Sequence, residues 1–126
     1  MKIRNVQRKI LIVDRSEMFL ERLKMRFEQE GYLVQTTTTS SKILEAMEKF
    51  HPDIVMIEVL MPGIDGFEMI KLLKWHRQSV KIIAMTSGGR INAVEYLEAI
   101  RLLGADFTLK KPFREEYLVN ALKVIL

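Results

Sequence analysis

Asp53-Ile-Val-Met-Ile-Glu58, running on into Val59-Leu-Met-Pro-Gly-Ile-Asp-Gly66, decides the fold. Val55, Met56 and Ile57 form an uninterrupted apolar run, the pattern of a short strand covered on both faces. Such a strand does not end in a charge unless the charge projects out of the core. Glu58 is therefore placed at a C-terminal strand tip, where a parallel α/β sheet exposes its chemistry. Taken alone, Glu58 reads better as a solvated strand terminus, and the tips of the other strands have to decide.

Upstream, Lys9-Ile-Leu-Ile-Val13 is a β-branched apolar run that ends at Asp14, Arg15 and Ser16, and it reads as the first strand. Ser16 can cap the following helix, with Glu17 in its first turn. Phe19, Leu20, Leu23 and Phe27 recur at helical spacing, and Gly31 stops that helix in the C′ position. Tyr32 to Thr36 is a second strand, and the Thr36 to Thr39 run suits a sheet edge through its β-branching. Ser40 or Ser41 caps a helix expected to turn Ile43, Leu44 and Met47 inward. His51-Pro52 ends it, because the residue before proline avoids helical geometry.

Downstream of the third strand, Asp53 to Ile57, Asp65 and Glu68 match a capping box that opens a helix with Phe67, Ile70 and Leu73 inward. Lys81 to Met85 is a fourth strand, ending at Thr86-Ser87-Gly88-Gly89, where the glycines make a flexible loop. A helix from about Arg90 to Leu103 stops at Gly104. Asp106 to Leu109 is a fifth strand, ending at Lys110-Lys111-Pro112, and a last helix carries Tyr117, Leu118, Ala121, Leu122 and Ile125. Five strands alternating with five helices call for an α/β, doubly wound parallel sheet with right-handed crossovers and helices on both faces.

The 126 residues suffice for one domain with a core and are too few for two, so a single domain over 1–126 is expected. No apolar run approaches the length of a membrane span, and no signal peptide is recognisable behind the basic N-terminus. The absence of cysteine excludes disulfides, thiolate catalysis and Cys-based metal sites, and is compatible with a cytoplasmic location. A net charge of +4, scattered and without interleaved aromatics, fits a solvated surface better than a nucleic-acid face. The methionines are expected mostly as core filler, Trp75 as partly buried, Asp53 as a solvated strand start, and His51 and His76 as surface.

Four strand tips carry polar groups: Asp14 with Arg15, Glu58, Thr86 with Ser87, and Lys111. In a doubly wound sheet these tips converge on one edge. The pieces Ile10-Leu-Ile-Val-Asp14, Pro52-Asp-Ile-Val-Met-Ile-Glu58, Met61-Pro-Gly-Ile-Asp-Gly66, Ile83-Ala-Met-Thr86, Gly104-Ala-Asp and Lys111-Pro-Phe113, in this order and spacing, make the chain resemble a response-regulator receiver domain of two-component signalling. That resemblance covers essentially the whole chain. It implies a flavodoxin-like sheet of order 2-1-3-4-5, an aspartate at the position of Glu58 that takes a phosphoryl group from a histidine kinase, and paired acids after the first strand that hold Mg²⁺. It also implies phosphoryl-binding roles for Thr86 and Lys111 and a cis Lys-Pro bond.

The chain departs from that pattern in three places. Glu58 replaces the acceptor aspartate and is longer by about 1.5 Å, one C–C bond; in-line transfer is sensitive to misplacement of that order. Arg15 replaces the second acid, leaving Asp14 as the remaining first-strand metal-ligand position. Thr108 stands at the switch position, three residues before Lys111, where the family carries an aromatic. The expectation is a degenerate receiver, not an enzyme, in which Arg15 pairs with Glu58 in place of Mg²⁺. Such a module would bind partners without phosphorylation: a histidine kinase, an output domain or a second copy, through the fourth helix, fifth strand and fifth helix. The alternative is a working phosphoacceptor that uses Mg²⁺. A flavin enzyme shares the fold class only, since Asp14-Arg15-Ser16-Glu17 does not supply a Ser/Thr-rich phosphate loop.

Overall fold

The computed structural model describes residues 7–63, 65–87 and 92–126. In chain order its elements are β1 (Lys9–Val13), α1 (Glu17–Gln29), β2 (Leu33–Thr37), a 3-10 turn (Ser40–Lys42) leading into α2 (Ile43–Phe50), and β3 (Ile54–Glu58). They continue as α3 (Gly66–His76), β4 (Lys81–Thr86), α4 (Ala93–Leu102), β5 (Phe107–Lys110) and α5 (Glu115–Ile125). The strands form one parallel sheet in the order β2-β1-β3-β4-β5, the order expected from the sequence.

Strand side chains alternate between faces, and the sheet builds two cores from that alternation. Leu11, Val13, Val55, Ile57, Ile82 and Ala84 pack with Ile43 and Met47 of α2, Ile70 and Leu73 of α3, and Leu97 and Ile100 of α4. Ile10, Ile12, Ile54, Met56, Ile83, Met85 and Leu109 pack on the other face with Leu20, Leu23 and Phe27 of α1 and Leu118, Val119 and Leu122 of α5. Full burial of one such large aliphatic side chain contributes about 1.5–3 kcal/mol. The central strands therefore cannot slip register without turning an entire apolar set outward.

Local chemistry fixes the helix ends. Ser16 caps α1 by accepting from the Phe19 N–H. Asp65 caps α3 by accepting from the Phe67 and Glu68 N–H groups, while the Glu68 carboxylate pairs with Lys71 instead of completing the expected box. Asn92 caps α4 in the same way as Asp65 caps α3. The expected start of that helix, Arg90, and the Gly88-Gly89 loop lie outside the described residues. His51 ends α2 in the left-handed conformation, so proline's bias against a helical predecessor is met by leaving helical space altogether.

Three expectations, on Leu44, Trp75 and Asp53, are corrected. Leu44 is not turned inward, because Ile43 and Met47 already define the buried stripe of α2 and Leu44 lies a helical step aside, 38% exposed. Trp75 is 82% exposed, being two positions from the buried Leu73 and hence on the far side of α3. The methionines are mostly core, as expected: Met47, Met56, Met61 and Met85 are buried and Met69 packs against the core, while Met18 and Met25 face outward on α1. Asp53 is a link between strands: its Oδ2 accepts from the Lys9 N–H at 2.8 Å, and its backbone bonds Lys9 on one side and Lys81 on the other.

Gly66 opens α3 where there is no room for a side chain. A Cβ there would lie 2.6 Å from the Tyr96 hydroxyl and 2.9 Å from the Val59 carbonyl oxygen. Gly66→Ala is therefore expected to cost about 1–3 kcal/mol through overpacking, read as a lower urea midpoint with unchanged slope. An unchanged midpoint would mean the loop after Glu58 relaxes freely.

Candidate functional site

The alternation that builds the core also aims the strand tips. Asp14 follows Ile10 and Ile12, Glu58 follows Ile54 and Met56, and Lys111 follows Leu109, so all three continue the face covered by α1 and α5. They meet there. The Lys111 Nζ lies 3.1 Å from Glu58 Oε1 and also donates to Asp14 Oδ2. Each carboxylate gives its other oxygen to a backbone N–H two residues on, Asp14 Oδ1 to Ser16 at 2.9 Å and Glu58 Oε2 to Leu60 at 3.0 Å.

These groups are withdrawn from water. Asp14 is 2% and Glu58 6% exposed. The Lys111 ammonium is closed over by the Phe19 ring, whose centroid is 4.4 Å away, a cation–π distance. Phe19 in turn meets Phe113 edge-on at 6.1 Å, and Arg22 pairs with Glu115 at 2.8 Å, fastening α1 to the start of α5. The Lys111 N–H donates to the Thr86 carbonyl oxygen at 2.9 Å, and the Lys111–Pro112 peptide is cis. Thr86 is fully buried at the tip of β4. Two carboxylates and one ammonium make a compact triad, and backbone donors share the remaining negative charge.

Arg15 is not part of it. It is exposed, and among the described residues it makes no ion pair with Glu58 or any other carboxylate. Asp14 and Arg15 are neighbours on chain leaving a strand, so turning Asp14 inward turns Arg15 outward. The expected Arg15–Glu58 pair is thus replaced by a Lys111–Glu58 pair.

The response regulator receiver domain model matches residues 10–123. This chain belongs to the response-regulator receiver family. It is 30% identical over 118 residues to the sporulation initiation phosphotransferase F of Bacillus subtilis, covering 94% of this chain and 93% of that protein. It is also 30% identical to the alkaline phosphatase synthesis transcriptional regulatory protein PhoP of Bacillus subtilis, over 96% of this chain but only 49% of PhoP, so the chain spans about half the length of that relative. The chemotaxis response regulator CheY4 of Vibrio cholerae superposes with a TM-score of 0.84 at 26% identity, covering 96% of this chain and 100% of that one.

Receiver domains use Mg²⁺ in phosphorylation, and the donor set of this receiver does not fit the ion. Both available carboxylates are engaged by Lys111, the neighbouring position is the cation Arg15, and no group of three or more acid or histidine side chains among the described residues could hold a metal. Mg²⁺ asks for near-octahedral oxygen ligation.

Two features around the triad escaped the sequence. Phe19 is legible as a core position but not as the cover over Lys111. Tyr96 of α4 meets Phe67 edge-on, with centroids 5.0 Å apart, beside the loop that follows Glu58. Its phenol pKa is raised by burial first, then by the negative fields of Asp65 and Glu58. Thr108 lies half-buried in β5, in register with Ala84, while the strand's aromatic is the adjacent Phe107, which packs on Tyr117 at 5.9 Å.

Lys111→Met leaves Asp14 and Glu58 buried without their cation and is expected to cost about 3–5 kcal/mol. Adding Glu58→Gln should return part of that loss, whereas Arg15→Met should change stability by less than about 0.5 kcal/mol. Chemical denaturation of the variants measures this. A loss in Arg15→Met equal to that in Lys111→Met would contradict the assignment of the counter-ion.

Proposed function

We propose that this receiver domain works as a phosphorylation-independent protein-interaction module. The observation that carries the reading is the Lys111 ammonium held between Asp14 and Glu58. Lys111 pairs with both carboxylates, and both Glu58 oxygens are already engaged. A carboxylate that is buried, lengthened and hydrogen-bonded on both oxygens is a poorly placed nucleophile for in-line transfer. Thr86 and Lys111 keep the family's positions, with Lys111 serving charge balance. Arg15 adds a positive charge at the rim and opposes metal entry.

Receiver domains interact with histidine kinases and output domains. The partner surface we assign is the face of α4, β5 and α5, where Arg101, Lys110, Glu116 and Tyr117 are exposed. A second copy of the chain is one candidate occupant of this face. On this reading the chain is not an enzyme, and Thr108 removes the aromatic link that would otherwise report the phosphoryl state from β5. No helix among the described residues is long and apolar enough to cross a membrane, which is compatible with the expected cytoplasmic setting.

The test is amide NMR with Mg²⁺ and then beryllofluoride, together with intact-mass measurement after acetyl phosphate. The expected outcome is no saturable shift at Asp14, Glu58, Thr86 or Lys111 and no phosphoryl adduct. Saturable shifts spreading to α4, or an adduct on Glu58, would establish the alternative, a functional phosphoacceptor. Arg101→Glu should weaken binding to the partner, and unchanged binding would remove the proposed face.

A further inference from the structure

The edge of the sheet opposite the triad holds a second charged feature. A cleft of about 400 Å³ is lined by Arg8, Asp53, Arg77, Ser79, Lys81, Ile125 and Leu126. Its walls are chain segments at the beginnings of strands. Arg8 precedes β1, Asp53 precedes β3, Lys81 opens β4, and Arg77 caps the end of α3. A five-residue strand at about 3.3 Å per residue places this edge roughly 13–17 Å from the acid tips. The cleft is therefore a separate site.

Its charges are unbalanced. Three side-chain cations face one side-chain carboxylate, and that carboxylate already accepts from the Lys9 N–H. Among the described residues Arg8 and Arg77 make no ion pair, and Lys81 reaches Asp106 only at 4.0 Å. Asp106 is otherwise committed, its Oδ2 accepting from Lys74 and from the Ile82 N–H. The Arg77 Nε is buried and has no hydrogen-bond partner among the described residues. The exposed Ser79 adds a hydroxyl at the rim.

We infer that this cleft binds a phosphate group, as free phosphate or as a small phosphomonoester. The guanidinium fork of Arg77 pairs two oxygens of a tetrahedral oxyanion. Arg8 and Lys81 supply further positive charge. Ile125 and Leu126 give the apolar wall against which an ester's carbon portion would rest.

The test is an amide NMR titration of the intact chain with inorganic phosphate, and in parallel glycerol phosphate, at constant ionic strength set with chloride. Saturable one-site shifts at Arg77, Ser79 and Lys81, with the amides around Glu58 and Lys111 unmoved, are expected. Arg77→Gln with Lys81→Gln should weaken binding by about tenfold or more. Asp53→Asn keeps an acceptor for the Lys9 N–H, removes the opposing charge and should tighten binding severalfold. Whichever ligand binds more tightly identifies the natural form. Linear, non-saturating shifts, shifts confined to the Glu58 side, or affinity unchanged in both the double variant and Asp53→Asn would overturn the assignment.

Discussion

The Lys111 ammonium between Asp14 and Glu58 is the contact on which the rest of this site depends. Two carboxylates are buried at adjoining strand tips, and burial of either without a partner would be prohibitive. One ammonium, delivered from β5 on the other side of β4, makes both tolerable at once. The carboxylates' second oxygens are met by backbone donors, so neither is left to water. The Phe19 ring then shields one side of the partly buried ammonium, which strengthens each charge contact by lowering the local dielectric. Buried pairs of this kind are weak evidence for stability in themselves, but removal of one partner is costly.

The sheet positions this triad by a simple rule. Alternate residues of each strand face opposite layers, and Asp14, Glu58 and Lys111 share the parity that faces α1 and α5. The same parity explains why Arg15 cannot join them. A charge that looks in sequence like a substitute for a metal ligand is turned to solvent by being one residue further along an extended segment. The cation that pairs with both carboxylates is Lys111, which leaves the end of β5 on that same face.

Much of this was legible in the sequence. The runs Lys9–Val13, Val55–Ile57 and Lys81–Met85 specify buried parallel strands because nothing polar interrupts them, and the caps Ser16 and Asp65 act as expected. The convergence of Asp14, Glu58, Thr86 and Lys111 followed from topology alone. Strand limits moved by one residue where pairing continues past the apolar run, as at Glu58 and Thr86. What escaped was orientation. Leu44 and Trp75 are apolar residues on the wrong side of their helices, and hydrophobicity does not report side. The choice of Lys111 over Arg15 required knowing where each stem leaves the backbone. The Phe19 cover required knowing how α1 packs beside α5.

The most direct measurement of the central claim is a crystal structure of the chain grown in excess Mg²⁺. The account predicts the Lys111 Nζ between Asp14 and Glu58, within hydrogen-bonding reach of both, with Arg15 in solvent. A metal ion between the two carboxylates, with Lys111 displaced toward Phe19 or Arg15 folded onto Glu58, would contradict it.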